Sequence, residues 1–278
     1  MQQSKKPWRA FAINIAIPVA LIIIIGFIGG FLYGFLATLI FLLFKLYQGR
    51  TGLYSAIGKI VYSKGSISDG VKWFERAYKT GKSSPRIILS YAYLLLKQGR
   101  IDEAEVILNK LLAMELPLDD QMFVKANLAL IVWKRGDIDG AIAMLEEVCA
   151  NVKHTITYGS LGYMLILKGE LDKALEFNLE AYDYNSSNTV IQDNLGQNYY
   201  MLGDYDKAEE IYLKFIPSNP TFPEAYYNYG LVLLARGLPE KALEYMKKAL
   251  NYEFSYLSAV TREEIQSKIE EVSRKLKE

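Results

Sequence analysis

The side chains that most often carry chemistry are scarce in this chain. Its 278 residues include one histidine, His154, and one cysteine, Cys149. They stand five residues apart near a predicted helix end, poorly set to make the facing imidazole–thiolate pair of a nucleophilic site. One of each also makes no His/Cys metal cluster and no disulfide within the chain. Gly81-Lys82-Ser83 resembles the end of a phosphate-cradling loop, but Arg76 stands where the upstream glycine is needed. Asn185-Ser186-Ser187 is a glycosylation acceptor only in a lumenal protein. Carboxylates are plentiful, but they fall at capping positions and on predicted outer helix faces. The sequence therefore predicts no catalytic residues, no metal, no cofactor and no small-molecule substrate. What it offers instead is 21 tyrosines, 12 phenylalanines and 3 tryptophans, side chains suited to holding another molecule by apolar contact.

The net charge of +1 hides a gradient. Residues 1–86 carry twelve Lys or Arg against Asp69 and Glu75, a net of +10, while residues 87–278 carry twenty basic and twenty-nine acidic side chains, a net of −9. A largely acidic chain with its basic residues gathered at one end is not the footprint of a nucleic-acid binder.

The elements that would position these side chains are set by a repeat. Gly65, Gly99, Gly136, Gly169, Gly203 and Gly237 recur at intervals of 34, 37, 33, 34 and 34 residues. Seven residues before each stands a small residue: Gly58, Ala92, Ala129, Gly162, Gly196 and Gly230. Five after each stands another, Gly70, Ala104, Ala141, Ala174, Ala208 and Ala242. Nine after come Phe74, Leu108, Leu145, Asn178, Tyr212 and Met246, with Asn178 the polar exception. Large apolar residues at −8 and −4, and at +9 and +12, mark one face of a helix on either side of the glycine. The small residues let the two helices approach, and the glycine supplies the turn. Three residues past it, Ser68, Asp102, Asp139, Asp172 and Asp206 are predicted N-caps, while Pro239 suits the first turn of the last helix.

Leu195-Gly196, Tyr199, Gly203-Asp204-Tyr205, Ala208, Tyr212 and Pro220 resemble the tetratricopeptide (TPR) pattern, a 34-residue helix–turn–helix. The resemblance implies an all-α solenoid of about six repeats at 51–84, 85–118, 122–154, 155–188, 189–222 and 223–256. The longer interval adds residues around Asp119, Asp120 and Gln121 beside Pro117, where the solenoid is expected to bend. Residues 257–278 read as a capping helix, with a capping box at Thr261 and Glu264 before Ile265, Ile269, Val272 and Leu276. In the family, the first helix of each repeat lines a concave groove that holds a peptide or helix. Carried over by register, that groove contains Ser55, Lys59, Tyr62, Leu89, Tyr93, Leu96 and Lys97. Its middle contains Phe123, Leu130, Trp133, Lys134, Ile156, Tyr163 and Ile166. Farther along come Val190, Asp193, Gln197, Tyr200, Met201, Tyr227 and Leu231. The lysine–asparagine clamp by which some relatives hold a chaperone's carboxylate is not reproduced, because the matching groove position reads Lys59, Tyr93, Leu130, Tyr163, Gln197 and Leu231.

A basic tail, residues 1–10, precedes an apolar run. Phe11 to Phe44 is 34 residues without a charge. A single helix of that length spans about 51 Å, against a hydrocarbon core of about 30 Å. Residues 11–46 are therefore read as a transmembrane segment, either a hairpin turning near Gly29-Gly30 or one tilted span opened by Pro18. In the second arrangement Gly26, Gly30 and Gly34 form a face for helix–helix packing and oligomer formation in the lipid. The basic flanks favour a cytoplasmic array. The functional expectation is a membrane-anchored scaffold that docks a protein or peptide partner, with a structural or assembly subunit of a membrane complex as the alternative.

Overall fold

The computed structural model describes residues 11–278; the tail expected over 1–10 lies outside them. The described residues are largely helical, with no strand among them. They divide into two units, one ending at Tyr54 and the other running from Ser55 to Glu278.

In the first unit a π-helical turn, Ala12–Ala16, leads into α1 (Ile17–Gly29), with Pro18 in its opening turn, where no N–H partner is lost. Gly30, at φ 85° and ψ 174°, ends α1, and α2 (Phe31–Ser63) starts at the next residue. Along one unbroken helix Gly26 and Gly34 would lie about 12 Å apart. Here a Cβ built on Gly34 stands 2.9 Å from the Gly26 Cα. The chain therefore folds sharply at Gly30, and α1 and α2 meet at two glycines with no side chain to hold them apart. The three glycines share no single helix face: Gly26 and Gly34 touch each other, and Gly30 is the bend. The helix α2 is long and apolar enough to cross a membrane, and none of its most apolar stretch is buried by protein.

The second unit begins with the last turns of α2, which pair with α3 (Ile67–Lys79). Four pairs follow: α4 (Pro85–Lys97) with α5 (Ile101–Leu112), α6 (Leu118–Lys134) with α7 (Ile138–Asn151), α8 (Thr155–Lys168) with α9 (Leu171–Tyr184), and α10 (Thr189–Met201) with α11 (Tyr205–Phe215). The sixth joins α12 (Pro223–Ala235) to α13 (Pro239–Ala249), and α14 (Arg262–Lys275) closes the unit.

All six spaced glycines have φ between 76° and 100°, the left-handed region where any Cβ is strained. At each, the glycine N–H and the next N–H bond back across the helix end, as Gly99 to the Leu96 carbonyl and Arg100 to the Leu95 carbonyl. The N-caps stand one residue after the glycine, not three. Ser66, Asp137 and Asp204 accept from the backbone N–H of Asp69, Gly140 and Lys207. This corrects the sequence expectation: the turn takes two residues, so Ser68, Asp102, Asp139, Asp172 and Asp206 already lie inside the first helical turn, where the acidic ones meet the positive end of the helix dipole.

Close approach within a pair follows a size rule across sixteen residues. A Cβ on Gly58, Gly196 or Gly230 would meet Phe74, Tyr212 or Met246 at 2.7–2.8 Å. Where the small residue is alanine, at Ala92 and Ala129, its partner in register is leucine, Leu108 and Leu145. The three inserted residues near Asp119 lengthen α6 to 17 residues, an extra helical turn held by Arg86 Nε donating to Asp120 Oδ1 at 3.0 Å.

Two large apolar clusters form most of the core, one from Val71 to Ala174 and one from Leu195 to Ile265, with a small third cluster of Tyr158, Ala181 and Ile191. Alongside that small cluster, between the two large ones, runs a set of buried polar side chains. Asn178, fully buried, donates to Asn198 Oδ1 at 3.1 Å, and Asn198 donates to the Leu171 carbonyl at 3.0 Å. Asn194 donates to the Gly159 carbonyl at 2.7 Å. Asp193 accepts from Tyr212 Oη at 2.9 Å and from Asn228 Nδ2 at 3.2 Å.

Candidate functional site

The first helix of all six pairs contributes to one cavity of about 350 Å³. The last turn of α2 supplies Tyr62, α4 supplies Tyr93 and Lys97, and α6 supplies Leu130 and Trp133. From α8 come Ile156 and Tyr163, from α10 Val190 and Asp193, and from α12 Glu224. Each projects from the same side of its helix because the repeat returns the same register. Trp133 and Tyr163 meet edge-to-face at 5.9 Å. Lys97 donates to Tyr62 Oη at 3.1 Å and lies over the Tyr62 and Tyr93 rings at 5.4 and 5.7 Å. Ile156 and Val190 stand at the rim, 55% and 45% exposed.

Burial sets the titration of the wall. It pushes the Tyr93 hydroxyl up to about 12 and raises the Tyr163 hydroxyl, with the Glu224 carboxylate adding to the effect. Burial also lifts the Asp193 carboxyl to about 7, against the lowering influence of its hydrogen bonds from Tyr212 and Asn228.

Of the groove residues carried over from the repeat register, Tyr62, Tyr93, Lys97, Leu130, Trp133, Ile156, Tyr163, Val190 and Asp193 are together at this cavity. The others go elsewhere. Leu96 and Ile166, 1% and 3% exposed, are core residues, and Leu89 packs against the same cluster. Phe123 lies edge-on to His154 at 4.5 Å. Lys134 sits over the Trp133 and Tyr256 rings, 4.6 Å from each. Gln197 has its Oε1 buried without a partner, and Tyr200 packs against Tyr205 at 5.8 Å. His154 caps α8, its Nδ1 accepting from the Ile156 N–H at 3.2 Å, and burial lowers its pKa. Burial raises the Cys149 thiol. Neither His154 nor Cys149 lines the cavity.

One part of the site escapes the register. Between Ala249 and Arg262 the chain leaves the array and runs along the groove as an irregular strap. Glu253 accepts from the N–H groups of Ile67 and Ser68 at 2.8 and 3.0 Å, capping the start of α3. The Tyr256 N–H donates to the Lys97 carbonyl at 2.7 Å, an acceptor left open at the end of α4. The Tyr256 ring lies against Gly99. The Ala259 N–H donates to Tyr163 Oη at 2.8 Å. Beyond the strap, Arg262 donates to the Leu250 and Tyr252 carbonyls at 2.8 and 3.2 Å, which anchors α14 to the end of α13. The available sequence signal was length: residues 250–261 form the longest connection between helices in this unit.

Two family profiles described as tetratricopeptide repeat match residues 194–256 and 89–110. They fall on helix pairs whose glycine turns and small-to-large contacts are those just described. These two stretches are tetratricopeptide repeats. No curated protein matches the chain in sequence. Among solved structures it is similar to the anaphase-promoting-complex hetero-tetramer Cut9–Hcn1, with a TM-score of 0.59 at 15% identity, covering 81% of this chain and 43% of that one. MamA is similar at 27% identity and a TM-score of 0.43, over 55% of this chain and 89% of MamA. YrrB, described as a TPR protein with an unusual peptide-binding site, is similar at 21% identity and a TM-score of 0.42, over 64% of this chain and 91% of YrrB.

Proposed function

We propose that this chain is a membrane-tethered TPR scaffold that docks a protein or peptide partner in its groove. The observation that carries the reading is the convergence of all six first helices on one aromatic cavity with an apolar rim at Ile156 and Val190. Such a site suits an inserted apolar or aromatic side chain, with Trp133 and Tyr163 as anchors. The tether is the segment 11–46, whose large apolar side chains are exposed to whatever surrounds them. Lipid satisfies that surface where water does not. The Lys and Arg of residues 1–86 favour a cytoplasmic array. Tethering then raises the local concentration of the partner at the membrane. The alternative, a structural subunit packing through Gly26, Gly30 and Gly34, is less well supported, because Gly26 and Gly34 already face each other.

Crosslinking from native membranes tests the docking reading. Ile156→Glu with Val190→Glu, both at exposed positions, is expected to leave helicity and melting unchanged and to abolish the partner band. Capture equal to the native chain refutes it. In sealed inverted vesicles, external protease is expected to digest the array; protection overturns the cytoplasmic placement.

A further inference from the structure

The strap has the features of a bound ligand more than those of a wall. None of its residues from Tyr252 to Val260 is buried, and Tyr256 is 46% exposed. From Glu253 to Ala259 its polar contacts to the array fall on backbone groups that a helical repeat leaves open or on one cavity hydroxyl: two N–H groups at the start of α3, the carbonyl at the end of α4, and Tyr163 Oη. At its anchored end Tyr252 stacks on Tyr226 at 5.0 Å and Phe254 packs partly buried on the second core cluster, whereas the Tyr256 ring lies on a glycine with Lys134 over it. Segments with few buried contacts and exposed hydrogen bonds open at low free energy.

We infer that residues 253–259 are a resident ligand, and that the partner carries a segment of the same chemistry: a carboxylate, an aromatic ring three residues later, and an aliphatic residue next to it. In this chain those are Glu253, Tyr256 and Leu257. The start of α3 reads the carboxylate, as helix N-termini read anions. The Lys97 carbonyl reads the backbone N–H of the aromatic residue, Gly99 and Lys134 clasp its ring, and Tyr163 reads a further N–H. The strap holds the groove closed by its local concentration, on the order of millimolar for a short tether, until a partner displaces it. The inference rests on the docking reading and specifies which segment docks.

The test is binding of a fluorescent peptide with the sequence of residues 252–260 to the full chain in detergent micelles. The native chain is expected to bind it weakly. Glu253→Gln with Tyr256→Ala, which loosens the strap, is expected to bind it at least tenfold more tightly. A peptide carrying the same two substitutions is expected to bind neither. Equal weak binding by native and loosened chains overturns the inference. So does a tighter complex formed only by dimers that exchange straps, since the occupant is then a second copy. If the loosened chain does not fold, amide exchange on the native chain decides. The N–H groups of Ile67, Ser68, Tyr256 and Ala259 are expected to exchange well before those of the α4 core, and equal protection overturns the inference. Loss of peptide binding with retained Ile156/Val190-dependent crosslinking discards the strap as ligand while the docking reading stands.

Discussion

Asp193 makes the second half of the array sensitive to pH in a direction unusual for a carboxylate. Burial holds its carboxyl at about 7 instead of 3.8, so the folded state binds the proton more tightly than the unfolded chain does. Its contribution to stability is fully present below about pH 4, declines as pH rises, and is lost above about pH 7. At about 1.4 kcal/mol per pK unit, the difference across that window reaches up to about 4 kcal/mol. Replacing Asp193 with Asn keeps a carbonyl to accept from Tyr212 and removes the ionisation. A repeat array does not unfold as one unit, so the suitable assay is amide exchange of α10, α11 and α12, corrected for intrinsic rates, between pH 5 and pH 8. The native chain is expected to lose protection as pH rises while Asp193→Asn stays level and overtakes it at pH 8. Equal slopes in the two chains would refute the assignment of the buried carboxyl as the source.

Other expectations follow from specific contacts. A Cβ on Gly162 would overlap the Asn178 Oδ1, so Gly162→Ala is expected to destabilise by about 1–3 kcal/mol. A cycle with Asn178→Ala is expected to show coupling beyond 0.5 kcal/mol, roughly the limit for independent sites. At Gly203, φ 82° with no neighbouring atom in the way, alanine is expected to cost about 1 kcal/mol and asparagine less, because asparagine tolerates the left-handed region; equal melting of the two variants argues against backbone strain. Burial lowers the pKa of His154, so its capping contribution is fully present above about pH 6.5 and is lost as pH falls below that toward the lower value of the folded state. His154→Asn, which retains an acceptor, is expected to abolish that loss in acid unfolding curves.

Much of this fold was legible because its determinants are local and recur. A left-handed turn calls for glycine, and a tight helix pair calls for a small residue opposite a large one sixteen positions away. Both requirements leave marks in every repeat. The groove was legible only in part. Tyr62, Leu96, Trp133, Ile166 and Tyr200 all stand three residues before a repeat glycine, yet Tyr62 and Trp133 reach the cavity while Leu96 and Ile166 end in the core. The position lies at the boundary between two helix faces, and side-chain length decides which side it serves. The strap left almost no mark, because its bonds join residues 96 to 186 positions apart and do not recur. The N-caps were displaced by two residues because the spacing fixes the glycine but not how many residues the turn consumes.

Glu253 bonded to Ile67 and Ser68 ties the last helix pair to the first. A linear stack of repeats has two terminal units, each with one neighbour, and thermal fraying starts there. Joined through residues 250–261, this array has lost one of those loose ends. While the strap stays docked, separation of the helix pairs is then expected to begin at an internal joint, the polar seam around Asn178 and Asn198, and displacing the strap gives the array its loose end back.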